Sequence, residues 1–179
     1  MNIYKLILNC TFICFFVISI HSCTTNKSYI SDETSFLEEI SIKEIQSGYQ
    51  NNKYTVNEVV SAYIDRIHSI DQSGPKLNSV LTINPDAYKI ADSLDKILQN
   101  KKIVKSPLFG IPVLLKDNID THDKMPTTAG SRILKNAYPI KDSWVAKKLR
   151  EAGAVIIGKS NLSEWANYRA SYSSSGWSG

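Results

Sequence analysis

The stretch GIPVLLKDNID, residues 110–120, most constrains the fold because a continuous apolar run ends in charged and amide side chains. Residues 111–115 have the length and composition of a short strand in a sheet covered on both faces. Lys116 follows directly, at the edge of the buried region. Desolvation there disfavours the charged form of a lysine and makes Lys116 a candidate base. The alternative is that Lys116 bends out to solvent or pairs with Asp117 or Asp120.

Helix-start signals alternate with short apolar runs along the chain, and this order indicates an α/β domain with a largely buried sheet. Ser41 and Thr55 each precede a glutamate by three residues, which is the spacing of a capping box. The predicted strands are residues 77–83, 111–115 and 154–157. The predicted helices are one at 42–47 ended by Gly48, one opened by Thr55, one starting at Pro85 with Asn84 as its N-cap, and one capped by Asp142 or Ser143 and closed by Gly153. A further helix start is predicted at 161–164.

The length of 179 residues suits one domain, and 42% hydrophobic with 21% charged residues is ordinary for a globular protein. The net charge of +4 is small, and the densest basic run, KKIVK at 101–105, is short. A nucleic-acid partner would require basic residues clustered on one surface. We therefore expect no nucleic-acid binding.

The first 22 residues differ from the rest because residues 6–20 are apolar apart from one asparagine, one threonine and one serine. This length is typical of a signal sequence and short for a membrane span. The run leads into Ile20-His21-Ser22-Cys23, which is similar to the lipobox of bacterial lipoproteins, with His21 an unusual occupant. We expect cleavage before Cys23, lipidation of Cys23, a polar tether at 23–35 and a domain at 36–179. An ordinary signal peptide or an uncleaved anchor is the alternative.

Cysteines and histidines give little support for a metal site or a disulfide framework. Cys10, Cys14 and Cys23 are the three cysteines, so cleavage would leave Cys23 alone in the mature chain. His68 and His122 lie apart in the sequence, without the spacing of metal ligands. We expect neither metal nor cofactor.

Residues 153–160, GAVIIGKS, match the letters of a phosphate-binding loop. Such a loop needs its middle residues to form a turn whose N–H groups surround phosphate. Here Ala-Val-Ile-Ile forms a predicted strand instead, so Lys159 is expected at a strand end, near the periphery of a site. A nucleotide-binding function through this segment remains an unfavoured alternative.

Three stretches carry a resemblance to a known family: LNSVLTINPDAYKIADSLD, PLFGIPVLLKDNIDTHDKMPTTAGS and VAKKLREAGAVIIGKSNLSEWANYR. From about Ile42 onward the chain resembles the amino-terminal part of the amidase signature family. The resemblance implies part of the amidase signature fold, a mixed sheet with helices on both faces, incomplete at the C-terminus. It also implies a hydrolase that acts on a small-molecule or peptide amide.

The resemblance assigns Lys116 as the catalytic lysine, because it follows the family's Gly-Ile-Pro-x-x-x-Lys-Asp pattern. In the family this lysine is kept neutral and takes a proton through a bridging serine from a nucleophilic serine. Both serines lie in a Gly/Ser-rich segment downstream of the last matching stretch. We therefore assign neither role to Ser174, Ser175 or Ser178, and we expect residues 23–179 by themselves to be inactive and poorly folded.

Two function classes follow for the whole protein. The first is an amidase of the cell envelope, exported and held on the membrane by its N-terminal lipid, with Lys116 as one member of a Ser-Ser-Lys triad. The second is a non-catalytic envelope lipoprotein that reuses the same fold.

The lipobox resemblance predicts that the mature protein begins at Cys23 and carries lipid there. Several acyl chains anchor a protein firmly, whereas a single chain anchors only marginally. We expect the protein to fractionate with membranes and the Cys23→Ser variant to lose this association. Mass spectrometry of the mature N-terminus is the direct check, and an unmodified Cys23 or cleavage elsewhere would contradict the prediction.

Overall fold

The computed structural model describes residues 36–100, 106–168 and 171–172, so the predicted signal segment, the tether and Cys23 lie outside the described residues. The helices are α1 (Ile42–Gln50), α2 (Val56–Arg66), α3 (Ala87–Gln99) and α4 (Trp144–Glu151). The strands are β1 (Val80–Ile83), β2 (Pro112–Lys116) and β3 (Val155–Ser160). A π-helical turn, Ile67–Ser73, continues α2, and short 3-10 turns cover Arg132–Leu134 and Glu164–Asn167.

Both predicted capping boxes are confirmed. The side chain of Ser41 accepts from the N–H of Glu44 at the start of α1, and Thr55 does the same with Glu58 at the start of α2. Each glutamate carboxylate in turn accepts a hydrogen bond from the backbone N–H of its cap residue, so both of these backbone donors are satisfied. These local bonds fix where both helices begin.

The three strands form one mixed sheet, as predicted, and their order is β1-β3-β2. β1 runs antiparallel to β3, and β2 runs parallel to it. The parallel pairing aligns Leu115 with Lys159 and Lys116 with Ser160. The charged ends of both apolar runs therefore meet at one edge of the sheet.

Helices cover both faces of the sheet, because alternate residues of β3 enter different hydrophobic clusters. Val155 and Ile157 pack with residues of α2 and α3. Ile156 packs with Leu115, Met125 and Ala146, and Ala146 lies on α4. With both faces covered, residues 155–158 of β3 are buried, which explains why this part of the strand carries no polar side chain.

β2 differs from the buried strand that the sequence predicts. Leu115 is buried, but Leu114 is 39% exposed, because β2 is the edge strand of the sheet in the described residues. β1 begins at Val80 rather than at residue 77. β3 continues through Lys159 to Ser160, so GAVIIGKS forms a turn at Gly153 and then a strand, rather than a phosphate-binding loop.

Three predicted helix boundaries are wrong for reasons of tertiary packing. α1 continues past Gly48, where the Tyr54 ring lies against the backbone; a Cβ at this position would lie 2.1 Å from a Tyr54 ring atom. Asn84 is not the N-cap of α3, because it is buried and its side-chain amide donates to the Ile156 carbonyl; Asp86 precedes the helix. The predicted helix start at 161–164 leads only into the short turn Glu164–Asn167.

No helix in the described part of the chain combines the length and the apolar character required to cross a membrane.

Gly158 allows a close approach between β1 and β3. An added Cβ would lie 2.5 Å from the Thr82 carbonyl oxygen and 3.2 Å from a Leu114 methyl group. We expect Gly158→Ala to lower the free energy of unfolding by about 1–3 kcal/mol, because the strands must separate to accept the methyl group. Ser160→Ala, a change in the same strand without added volume, should alter it by less than about 0.5 kcal/mol. Urea unfolding followed by circular dichroism measures both values, and equal midpoints would contradict the prediction.

Candidate active site

Lys116 lies where the parallel strands β2 and β3 end side by side. Its backbone is in register with Ser160, and its Nζ donates a 2.7 Å hydrogen bond to the carbonyl oxygen of Asn161, the residue after β3. The side chain is exposed and pairs with neither Asp117 nor Asp120. The predicted position at the strand end is thus confirmed, but Lys116 is not desolvated by the described residues.

Backbone hydrogen bonds fix both ends of the Lys116–Asn161 contact. On the lysine side, Asp117 N donates to Ser160 O (3.0 Å) and Ile119 N donates to Lys116 O (2.9 Å). On the acceptor side, Asn161 N donates to Ser79 O (2.8 Å), and its side-chain amide donates to Asn78 O (2.9 Å). Hydrogen bonds therefore hold the backbone on both sides of this contact.

The desolvated lysine of this region is Lys159, which is fully buried. Its Nζ donates to the Ile119 carbonyl (2.6 Å) and to Thr127 Oγ1 (2.9 Å). Burial lowers the pKa of Lys159, and the nearby carboxylates of Asp117, Asp123 and Asp120 oppose this shift. The expectation that Lys159 would lie at the periphery is wrong, because its side chain turns inward under the loop that follows β2.

A bulge in the β2–β3 ladder accounts for this inward direction. Between Val113 and Leu114 the partner residue in β3 advances from Ile156 to Gly158, so β3 carries one extra residue. A bulge shifts the alternation of side chains by one position. Lys159 consequently shares a face with Leu115, whereas Lys116 shares a face with Ser160.

Asp117 is a second buried ionisable group directly beside Lys116 in the sequence. Its Oδ2 accepts hydrogen bonds from the Thr128 hydroxyl and from Thr128 N (3.2 Å), while its Oδ1 has no hydrogen-bond partner among the described residues. Burial raises the pKa of Asp117, and the Thr128 hydrogen bonds and the charge of Lys159 oppose this shift. Lys159 is thus the cation whose charge opposes the desolvation of this carboxylate.

A network of charged groups anchors the middle of the loop to α4. Arg150 donates from Nη2 to Asp123 (2.6 Å) and from Nε to Asp142 (3.1 Å). The other Asp142 oxygen accepts from His122 N at 2.7 Å. These contacts hold the middle of the loop against the start and the body of α4.

A groove of about 570 Å³ lies beside the loop. Its walls include Asn118 and Asp120, which follow Lys116 closely in sequence, and Tyr138, Ile140 and Trp165, which are exposed. The groove thus combines aromatic and aliphatic surface with amide and carboxylate groups. Such a surface suits an organic ligand with both apolar and hydrogen-bonding parts.

The other residues considered from the sequence do not join Lys116. His68 bonds to Gln72 and His122 to the Pro139 carbonyl. Within residues 36–100, 106–168 and 171–172, no group of three His, Cys, Asp or Glu side chains could hold a metal ion. Ser174, Ser175 and Ser178 lie outside the described residues, and Ser171 is exposed.

Sequence reasoning missed the buried cluster of Asp117, Thr127, Thr128 and Lys159. A lysine that closes the apolar run AVIIG was the available signal for Lys159. Thr127 and Thr128 gave no signal, because their contacts depend on how the loop folds back onto the sheet.

Comparisons with known proteins agree on one family. Residues 58–176 match the family model described as Amidase. A putative amidase of Schizosaccharomyces pombe is 42% identical over 142 residues, which cover 79% of this chain and 24% of that protein.

Solved structures give the same result for the fold. The native peptide amidase from Stenotrophomonas maltophilia superimposes with a TM-score of 0.72 at 41% identity, covering 78% of this chain and 28% of that one. An amidase family protein from Bacillus anthracis gives a TM-score of 0.76 at 38% identity, covering 88% and 31%. The chain therefore spans about a quarter to a third of these relatives' lengths.

The buried charges predict a large stability difference between two lysine substitutions. Lys159→Met removes the positive charge that opposes the desolvation of Asp117, and it leaves the Ile119 carbonyl and the Thr127 hydroxyl without their ammonium donor. Each buried polar group left without its partner costs about 1–3 kcal/mol. Lys124→Met removes only an exposed ion pair with Asp86 and should cost less than about 1 kcal/mol. The double variant Lys159→Met/Asp117→Asn should recover part of the loss.

Urea unfolding of the three variants and the unsubstituted protein measures these differences. A cost for Lys159→Met no larger than that for Lys124→Met would show that the two buried charges are not coupled.

Proposed function

The chain belongs to the amidase family, and from this premise we propose that it supplies the catalytic lysine, Lys116, of an enzyme that hydrolyses carbon–nitrogen amide bonds. The observation that carries the proposal is the placement of the Lys116 amine. It lies at the shared end of two parallel strands, held by the Asn161 carbonyl, on a backbone fixed from both sides. In open α/β sheets, ligands bind outside the carboxyl ends of the strands.

The chemistry proposed for Lys116 is proton transfer. A neutral amine accepts a proton through a bridging serine from a second serine, whose oxygen then attacks the amide carbonyl. The tetrahedral intermediate collapses when the C–N bond breaks and the leaving nitrogen takes up the proton. Water then cleaves the acyl-enzyme ester by the reverse route and restores both serines. No metal or cofactor takes part in these proposed steps. The two serines are implied by the family resemblance, and no serine of this chain is assigned to either role.

The hydrogen bond from Lys116 to Asn161 is suited to this role. A carbonyl oxygen accepts one N–H of the amine and fixes its position without supplying a full negative charge. A carboxylate partner would instead favour the protonated form and weaken the base. The absence of pairing to Asp117 and Asp120 therefore supports Lys116 as a base.

The substrate class that we propose is a peptide or small-molecule amide. The groove beside the loop that follows Lys116 offers both apolar walls and hydrogen-bonding groups, and one structural relative is described as a peptide amidase. We also propose that the enzyme works at the cell envelope through lipid at Cys23, on the strength of the N-terminal sequence alone.

Substitution of Lys116 tests the proposed activity. In the protein produced from its complete gene, Lys116→Ala should lower kcat for amide hydrolysis by a factor of about 10² to 10⁴, because general base catalysis is lost. Lys116→Arg should not restore the rate, because a guanidinium stays protonated at any working pH. Release of amine from a panel of peptide and aryl amides measures the effect.

Exposed Lys124 provides the matched control, and Lys124→Met should keep the unsubstituted rate. Near-normal turnover by Lys116→Arg would refute the neutral-lysine mechanism. If the unsubstituted protein hydrolyses none of the amides and Lys116→Ala behaves identically, a non-catalytic role of the same fold would replace the proposal.

A further inference from the structure

The proposed mechanism gives no role to the buried ammonium group of Lys159. Lys159 is completely buried next to the active-site lysine, although an unpaired buried ammonium is strongly unfavourable. Its Nζ bonds two points of the loop formed by residues 117–128, the Ile119 carbonyl near its start and the Thr127 hydroxyl near its end. One ammonium group thus closes the loop that begins immediately after Lys116.

Asp117 also links the start of this loop to its end. Its carboxylate accepts two hydrogen bonds from Thr128, and its backbone carbonyl accepts a third from Ala129 N at 2.9 Å. Gly130 N donates to the Thr128 hydroxyl at 3.2 Å, which orients that hydroxyl toward the carboxylate. The first residue of the loop is therefore tied to the residues at which the loop ends.

The charges of the two groups depend on each other. Lys159 is the cation that opposes the desolvation of Asp117, and Asp117 is the first of the carboxylates that oppose the desolvation of Lys159. Among the other charged groups that act on Lys159, Asp123 already pairs with Arg150, whereas Asp120 is exposed. Asp117 is thus the buried carboxylate available to balance Lys159.

Lys116 lies between the two anchored positions. The residue before it, Leu115, is in register with Lys159, and the residue after it is Asp117. We propose that Lys159 and Asp117 act together as positioning residues, holding the end of β2 and the 117–128 loop so that the Lys116 amine stays on the Asn161 carbonyl in the geometry needed for proton transfer. This inference rests on the proposed function of Lys116. A displacement of about 1 Å in a catalytic group reduces rates by a factor of about 10².

The kinetic test uses the protein from its complete gene and compares Lys159→Met, Asp117→Asn and the double variant. Each single variant should lower kcat at least tenfold and change KM by less than about threefold, because a catalytic group moves while substrate contacts remain. The double variant should be no slower than the slower single variant, because it leaves no unbalanced charge. Lys124→Met, on the exposed side of the same loop, should keep the kcat and KM of the unsubstituted protein.

Thr127→Val covers the case in which Lys159→Met does not fold. It deletes one hydrogen bond of the Lys159 ammonium but keeps both charges and the side-chain volume. We expect a several-fold lower kcat with a Tm near that of the unsubstituted protein. If folded Thr127→Val and the folded charge variants all retain the original kcat and only Tm falls, the residues are merely structural and the inference is overturned.

A second measurement does not depend on hydrolysis. Acetic anhydride labels lysine amines, and mass spectrometry compares acetylation of Lys116 with that of exposed Lys124 in the same protein. Lys159→Met and Asp117→Asn should each increase the relative labelling of Lys116 about threefold or more, because its hydrogen bond to Asn161 opens more often. Increased labelling without hydrolysis in any form of the protein would refute the proposed function and keep the positioning role. Unchanged labelling together with unchanged kcat would refute the positioning role alone.

Discussion

The parallel pairing of β2 with β3 is the contact on which the rest of the described structure depends. This pairing brings two chain segments that lie about forty residues apart into register, so that Leu115 meets Lys159 and Lys116 meets Ser160. Helices α2 and α3 then cover one face and α4 the other. Without this register, neither Lys116 nor the Asn161 carbonyl would have a defined partner.

The site combines one exposed lysine with one buried lysine, and their environments differ because of a single extra residue in β3. The bulge between Ile156 and Gly158 directs Lys159 to the covered face, where it meets carbonyl and hydroxyl acceptors. Lys116 remains on the open side of the strand end. One local irregularity in the ladder thus separates a chemically accessible amine from a structural one.

The buried side chains of Lys159 and Asp117 fix the conformation of the loop, and their burial has a cost in desolvation. Both groups shift their pKa values in the direction that burial imposes, which means that their charged forms are less favourable in the folded chain than in water. Apolar residues of similar volume would avoid this cost but would not hold the loop by directed hydrogen bonds. The pair is consistent with a region in which the orientation of the loop matters more than maximal stability.

The sequence by itself determined the local features of this protein. The capping boxes at Ser41 and Thr55, a helix cap at Asp142 or Ser143, the apolar strands and the α/β class follow from short-range patterns, and so does the position of Lys116 at a strand end. The mixed sheet with helices on both faces was implied by the family resemblance. Short-range patterns are reliable here because capping and amphipathic burial act between residues close in the chain.

Only the tertiary structure decided which polar side chains are buried. Asn84 was expected to cap α3 but bonds to Ile156 in the sheet, and Gly48 was expected to end α1 but instead makes room for Tyr54. Lys159 was expected at the periphery, yet it is the buried lysine of the site. For Asn84 and Lys159 the physical reason is the same. Burial of a polar group depends on whether distant backbone and side-chain atoms supply its hydrogen bonds, and this is fixed by strand register and loop closure rather than by neighbouring residues.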